Sequence, residues 1–536
     1  MSVRPGTRCG ARRVTYDARV PYASYLVALV LLGAALTVPS AGASVPLPPA
    51  VPAVPIPSTP ATPTYSGSPA TSHPITGIPA TPRNPYMAPD GSSEIHDDGW
   101  QTDAYTWAGP LGRSPVVTST LIGHDCGSIT FDSRGRLVSV CVGLAGPELY
   151  MFDPTTLATL ATFSLPPRQS LPGSTGSVFQ NFTGGGYFYL DEHGRVVTAT
   201  TTRHIFIIGE ASGAAGFRQA GDYDLSGVLT PSEQITSALP DSHGLLWFVA
   251  RTDGVVGTLN LSTRAIHVIR LGHGGVGEIE NSFAADQSGA VYIATNLKLY
   301  RFVAGSGGVP RITWQVRYPN SGESKPGQVD NGTGTTPTVM PGGYVNIADN
   351  ADPMDVVVYR TAVRPTVRVR RNGHVRVVAL PRLVCKVPVF RRGASDTENS
   401  LIAAGRSMVV ENNYGYSGPT AVENGGLTTP GFARVDIDAD GRGCHKVWTN
   451  GTDAAPTVVS KLSLATGLIY TYTKGPGSED PWYWTAIDFR TGRTVYRALS
   501  GTGVGYNNNY AGIAIARTGA EYVGTLSGIV AIRDGG

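Results

Sequence analysis

Charge is scarce in this chain. Of 536 residues only 15% are charged, and 42 basic against 39 acidic side chains leave a formal net charge of +3. So even a balance gives no electrostatic footprint for general nucleic-acid binding. Histidine is also scarce, with ten copies, and no Gly-x-Ser-x-Gly elbow, phosphate loop or His-Glu-x-x-His motif occurs. Nucleophilic hydrolysis has no sequence support. Beyond the N-terminal region no apolar run approaches the roughly 20 residues of a membrane span.

That N-terminal region has a distinct pattern. Residues 1–24 carry Arg4, Arg8, Arg12, Arg13 and Arg19, with Asp17 as the sole acid; an apolar run over 25–38 leads into Pro39-Ser-Ala-Gly-Ala-Ser44. A basic front, a short apolar stretch and small residues at the end predict a signal peptide over 1–43, cut after Ala43. An uncleaved anchor is the alternative, but the run is short for a span. Residues 44–97 are dominated by Pro, Ala, Thr and Ser. Such a composition buries little and is stiffened by proline, which predicts a disordered spacer. The folded domain is then 98–536, secreted or attached to the cell envelope and without a membrane span once processed.

Glycine is plentiful, with 67 copies, and some of it is periodic. One phrase appears four times: Phe131-Asp-Ser-Arg-Gly, Leu190-Asp-Glu-His-Gly, Pro240-Asp-Ser-His-Gly and Ala285-Asp-Gln-Ser-Gly, each followed by an apolar run. Asp bonds its own turn backbone and Gly supplies a positive φ, so each phrase predicts a hairpin turn. Successive copies are 45 to 59 residues apart, the size of one four-stranded propeller blade. Weaker copies begin at Met340, Ala404, Ala465 and Arg517, which makes eight. A second turn family, at Asp153, Asn260, Asp438 and Asp488, falls between them. With blade strands lettered A to D from the inside out, the first family joins A to B and the second C to D. The last repeat supplies only three strands before the chain ends, and an unpaired outer edge is a liability. The segment 114–122 is strand-like and predicts the missing outer strand. The fold expected is an all-β, eight-bladed propeller closed by this N-terminal strand; seven blades is the alternative if 334–391 is miscounted.

Of five cysteines, Cys9 lies in the signal segment, leaving an even number in an exported chain. Cys126 and Cys141 sit symmetrically about the first Asp-x-x-Gly turn, so an antiparallel hairpin sets them opposite each other. Cys385 and Cys444 then form the second disulfide. Metal ligation is the alternative, but the spacings do not match zinc patterns.

The phrase Ala486-Ile-Asp-Phe-Arg-Thr-Gly-Arg-Thr-Val-Tyr496, and more loosely residues 435–448, resembles the repeat of quinoprotein-like (PQQ-like) β-propellers. Over about 98–536 the chain is similar to secreted bacterial proteins of that kind, whose function is unassigned. The resemblance implies the propeller fold. Quinone-dependent dehydrogenases set an adjacent Cys-Cys pair over the cofactor; this chain has none, so PQQ is not expected and no catalytic residue is carried over.

The A–B and C–D turns fall on one face of the ring. The B–C and D–A loops fall on the other and are longer, and long loops on a rigid scaffold are where binding concentrates. They carry amides and acids near inner-strand ends: Glu280, Asn281, Asp349, Asn350, Glu398, Asn399, Asn412, Asn413, Tyr414, Asn508 and Asn509. Such oxygens suit sugar hydroxyls or a hard cation, and Tyr414, Tyr416, Tyr506 and Tyr510 offer stacking faces. The plain alternative is that these groups satisfy loop backbone. Residues 222–233 also fit a calcium loop, with Asp222, Asp224, Ser226 and Glu233 as ligands and calcium as the candidate ion. The stretch Val367-Arg-Val-Arg-Arg-Asn-Gly-His-Val-Arg-Val377 predicts a basic hairpin, solvated or bound to an anionic polymer or lipid surface.

The expectation is an exported monomeric propeller that binds a ligand or envelope partner, such as a wall glycan, through its long-loop face without catalysis. The alternative is a metal-assisted, lactonase-like hydrolase or a quinoprotein-like oxidoreductase using the central funnel.

Overall fold

The computed structural model describes residues 62–168, 181–212, 215–372 and 374–535. The expected signal peptide over 1–43, and the first part of the expected spacer, lie outside the described residues.

Each Asp-x-x-Gly phrase closes a hairpin for the reason its residues suggest. Asp132 Oδ1 accepts the backbone N–H of Arg134 at 2.8 Å and of Arg136 at 2.9 Å. Asp191 does the same for His193 and Arg195. Gly135 and Gly194 take φ of 78° and 73°, where a β-carbon is disfavoured. The second carboxylate oxygen grips the next strand, binding Arg136, Arg195, Trp247 Nε1 and the Tyr292 hydroxyl in the first four copies.

Eight antiparallel sheets follow in chain order. From inner to outer strand, blade 1 runs from Asp125–Phe131 to Thr159–Ser164, blade 2 from Phe188–Leu190 to Phe217–Asp224, and blade 3 from Ile235–Pro240 to Ile266–Arg270. Blade 4 runs from Ala284–Ala285 to Pro310–Arg317, blade 5 from Thr338–Met340 to Leu383–Pro388, and blade 6 from Ile402–Ala404 to Cys444–Asn450. Blade 7 runs from Lys461–Ser463 to Thr494–Thr502. Blade 8 has three C-terminal strands ending at Gly528–Arg533, and Val116–Leu121 is its outer strand, with Val116 opposite Arg533 and Leu121 opposite Gly528. Asp534 reinforces the closure by accepting the N–H groups of Leu111 and Arg113 at 2.9 Å. The protein is an eight-bladed β-propeller.

The second strands explain the core. Leu246–Ala250 reads Leu-Trp-Phe-Val-Ala and is buried on both faces, because blades pack against it from each side. Apolar layers fill the spaces between neighbouring blades, as in the cluster that joins Tyr472 and Trp484 of blade 7 to Val409 and Phe432 of blade 6. Both disulfides form as expected. Cys126 and Cys141 lie directly opposite on blade 1, fully buried, and Cys385–Cys444 ties the outer strands of blades 5 and 6. Among the described residues no helix is long and apolar enough to cross a membrane.

The spacer expectation needs correction. From residue 62 onward the chain lies on the propeller: Tyr65–Gly67 pairs antiparallel outside blade 7, with Tyr65 opposite Ala498. His73 and Ile75 donate their N–H groups at 2.8 Å to carbonyls in the blade 7 A–B turn. A proline-rich composition lacks a core of its own, and here existing blades supply the partners.

The segment then enters the axis. Inner-strand amides of five blades donate to its carbonyls: Leu190 to Ser93 at 2.7 Å, Ala285 to Gly99 at 2.7 Å, Val339 to Trp100 at 2.9 Å, Ala403 to Thr102 at 2.8 Å and Leu462 to Asp103 at 2.9 Å. Trp107 Nε1 reaches the Ile515 carbonyl of blade 8 at 2.9 Å. Residues 93–103 are buried throughout. They form a plug inside the ring.

Thr120→Pro is expected to remove a closing-strand hydrogen bond and lower unfolding free energy by about 1–3 kcal/mol, read from the denaturant midpoint; an unchanged midpoint contradicts the closure.

Candidate functional site

The plug carries unusual charge for a buried segment. Glu94, His96, Asp97, Asp98 and Asp103 are each at most 4% exposed, and the cation among them is Lys461 from blade 7, fully buried. Lys461 pairs with Asp103 and also donates to the Ile95 carbonyl. Burial opposes its charge, yet Asp103 and Asp97 hold its pKa above the ordinary lysine value. His96 Nδ1 lies 3.1 Å from Asp103, and burial pushes its pKa down despite that carboxylate. Burial also pushes Glu94 and Asp97 well up, and Asp98 to about 7. Asp97, Gln101 and Asp103 take φ of 76°, 64° and 57°, conformations that non-glycine residues hold only when neighbours over-determine them.

Because the plug fills the axis at the level of the A–B turns, the channel becomes a blind cavity on the long-loop side. Its volume is about 70 Å³. Ile95 and His96 contribute to its lining from the plug, alongside Asp125, Arg168, Phe182, Tyr187, Glu398, Asn399, Ser400, Asn509 and Tyr510. Asn509 and Tyr510 hold φ of 36° and 66°, a rare pair of left-handed residues at a cavity wall. The Tyr510 ring packs edge-on against Phe182 at 5.0 Å and Tyr416 at 5.6 Å.

Two groups at this cavity have no hydrogen-bond partner among the described residues, Glu398 Oε1 and Arg168 Nε. Glu398 is 5% exposed, and its other oxygen accepts the Val329 N–H at 3.2 Å. Burial, then the negative Asp330 and Glu280, raise its pKa well above the carboxylate range. Burial raises Asp125 to about 7 against a 3.0 Å hydrogen bond from Asn509 and the charge of Arg168.

The residues singled out in the sequence divide. Glu398, Asn399 and Asn509 line the cavity. Asn281 is one step behind, accepting the Tyr187 hydroxyl at 2.9 Å, and Glu280 pairs with Arg251 at 2.7 Å, its pKa raised by burial to about 8. The others serve loop backbone. Asp349 accepts the N–H groups of Ala351 and Asp355, and Asn350 donates to the carbonyls of Glu323 and Asn331. Asn412 donates to Ala394 and accepts from Tyr414, while Asn413 accepts the Glu398 N–H at 2.8 Å. Asn508 donates to the Ala511 carbonyl at 3.3 Å.

The residues of the candidate calcium loop have protein partners. Asp222 and Asp224 belong to the outer strand of blade 2, where Asp222 bonds His204 at 2.6 Å. Asp224 accepts the Ser226 N–H at 2.7 Å. Glu233 spends both oxygens on Arg270, and one of them also accepts the Thr230 N–H. Asp222 is thus claimed by His204 and Glu233 by Arg270, pairings that a linear motif does not show. Among the described residues no group of three or more His, Cys, Asp or Glu side chains is arranged to hold a metal.

Sequence reasoning missed Ile95, His96, Asp125, Arg168, Tyr187 and Ser400. The signal for the first two was the run Glu94-Ile-His-Asp-Asp98, where the proline-rich composition gives way to acids. A larger groove, about 570 Å³, lies on the turn face, lined by the A–B turns of blades 1, 2 and 8 and by Trp107. Its Asp132 and Asp191 are committed to their turns.

Fold and site together define a plugged eight-bladed propeller with a blind axial cavity. No family model matches the chain. An "Uncharacterized protein" of Archaeoglobus fulgidus is 26% identical over 350 residues, covering 61% of this chain and 66% of the relative, so the chain spans just under two thirds of that protein. Among solved structures, Chaetomium thermophilum Sqt1 bound to the N-terminus of ribosomal protein L10 aligns at TM-score 0.41 and 11% identity, covering 84% of this chain and 98% of that one. A streptogramin B lyase aligns at 0.39 and 10%, covering 78% and 97%. A functionally unknown protein from Desulfotomaculum acetoxidans aligns at 0.36 and 11%, covering 66% and 94%.

Carboxyls with raised pKa keep protons in the folded state that the unfolded chain releases. Asp98, Asp125, Asp349 and Asp396 (about 7) and Glu280 and Glu411 (about 8) all act in this direction. Folding therefore takes up protons between about pH 4 and pH 8, and stability falls as pH rises through that window. The neutral buried His96 acts oppositely on the acid side. The thermal midpoint is expected to be higher near pH 5.5 than near pH 8.5, and the reverse order contradicts this electrostatic account.

Proposed function

We propose that this protein is an exported propeller that binds a hydroxyl-rich ligand, such as an envelope glycan, at the long-loop face without turning it over. The observation that carries the reading is the pair of unpartnered groups at one cavity, Glu398 Oε1 and the donor Arg168 Nε. A hydroxyl both donates and accepts, and satisfies each in turn. An unmet buried polar group costs about 1–3 kcal/mol, so a ligand that completes it gains that much against water-free burial. Asn399, Asn509 and Tyr187 line the same wall but are held by protein partners, Asn399 by the Val458 carbonyl, Asn509 by Asp125 and Tyr187 by Asn281, and Tyr510 offers an aromatic edge.

The cavity volume admits one substituent of a sugar rather than a whole ring, so the remainder of the ligand rests on the loops around the mouth. Disulfides fit an oxidising compartment. Export, cleavage after Ala43 and envelope association remain part of this reading, as does the monomeric state.

Titration calorimetry against a panel of soluble wall-glycan fragments tests the proposal. Glu398→Gln is expected to weaken binding about tenfold while leaving the thermal midpoint nearly unchanged, because burial already favours the neutral carboxyl. Binding that is indifferent to Glu398→Gln and to Tyr510→Ala moves the site elsewhere. Chemical conversion of a bound fragment by the wild-type protein overturns the non-catalytic reading.

A further inference from the structure

From Val356 to Ser395 the chain has nine arginines, one lysine and no acid, in a protein whose whole net charge is +3. Half of this stretch lies in an insertion between the two outer strands of blade 5, Asp355–Arg360 and Leu383–Pro388. There Thr366–Arg371 and His374–Ala379 form a two-stranded antiparallel sheet that pairs with no blade. Because it replaces a C–D turn, it projects from the face opposite the axial cavity.

The root of the hairpin is held firmly. Arg382 donates to the carbonyls of Arg360, Ala362 and Val363 and stacks over the Trp314 ring at 4.5 Å. Arg360 donates to Pro381 and, across to blade 6, to Gly441, both at 2.8 Å. Beyond the root, Arg364, Arg368, Arg370 and Arg376 have no acidic partner among the described residues.

The same sheet exposes β-branched apolar side chains. Val375 and Val377 are 60% and 65% exposed, with Val369 and Val378 at 40% and 45%. Register puts Arg368 and Arg370 beside Val377 and Val375 on one face, and Arg376 beside Val369 on the other. Each face therefore mixes cations with bare valine. An isolated hairpin is marginal in water, and one that also exposes valine lacks a partner. A polyanion in solution would neutralise the arginines and leave the valines wet. A bilayer of anionic lipid meets both needs, with phosphates for the guanidinium forks and an acyl boundary for the valines.

We infer that the two-stranded sheet of Thr366–Arg371 and His374–Ala379 docks this protein onto an anionic lipid surface, which leaves the axial cavity facing away from the membrane. The inference is independent of the proposed ligand at that cavity.

Co-sedimentation of the folded protein with vesicles tests it. Vesicles of equimolar phosphatidylglycerol and phosphatidylcholine are expected to bind, and pure phosphatidylcholine is not; added salt weakens the binding. The triple variant Arg368→Gln, Arg370→Gln, Arg376→Gln is expected to lower partitioning about a hundredfold, and Arg370→Gln alone about fivefold. The double variant Val375→Ser, Val377→Ser is expected to lower it at least about tenfold. Thermal midpoints should match wild type, since the hairpin stands clear of the blades. Equal partitioning to both vesicle types overturns the inference. So does a loss confined to the arginine variants with soluble polyphosphate competing fully, which would assign the hairpin to a polymer.

Discussion

The structure depends on the capping of its inner strand edges. Every propeller blade ends at the axis in a strand with one unpaired edge, and an unpaired edge invites another chain or water. Here the amides of Leu190, Ala285, Val339, Ala403 and Leu462 donate to one continuous stretch of chain. That stretch joins blades distant in sequence and converts a channel into a cavity with a floor. It accepts three non-glycine residues in left-handed conformations because these carbonyls must turn successively toward different blades.

The plug also sets the electrostatics. Four acids, a histidine and one lysine are buried together, and a buried pair stripped of one partner is strongly destabilising. Lys461 is thus the counter-charge on which the segment's burial rests. Its pairing with Asp103 fixes the innermost strand of blade 7 against the plug, while Ala104–Tyr105 runs parallel to that strand. Ile95 and His96, beside this pair, reach the floor of the cavity that holds Glu398 and Arg168. Structural charge and candidate binding groups are contiguous, which makes the cavity sensitive to the integrity of the plug.

The two faces have different characters. The turn face is regular, because an Asp carboxylate organises its own loop, and it carries the basic hairpin of blade 5. The long-loop face is irregular and amide-rich. Most of those amides turned out to hold loops: Asn350, Asn412 and Asn413 donate to carbonyls and keep the mouth in shape. Asn399 also donates to a carbonyl, that of Val458, while lining the cavity; Glu398, from the same loop, keeps an oxygen without a partner among the described residues.

Local chemistry is what the sequence by itself determined. Asp followed by Gly three residues on closed a turn in each of its four clear copies, so the blade count, the closing strand and the Cys126–Cys141 bridge were readable from repeat spacing and strand pattern. Tertiary structure decided whatever depended on distant partners. Residues 62–105 carry proline, small residues and acids, a composition without a core of its own, and only the free edges of completed blades give that backbone its hydrogen bonds. Asp222 and Glu233 match a calcium pattern in one dimension; in three, His204 and Arg270 claim them. Whether an asparagine holds a loop or faces a cavity depends on which carbonyls stand nearby, and that is a property of the closed ring.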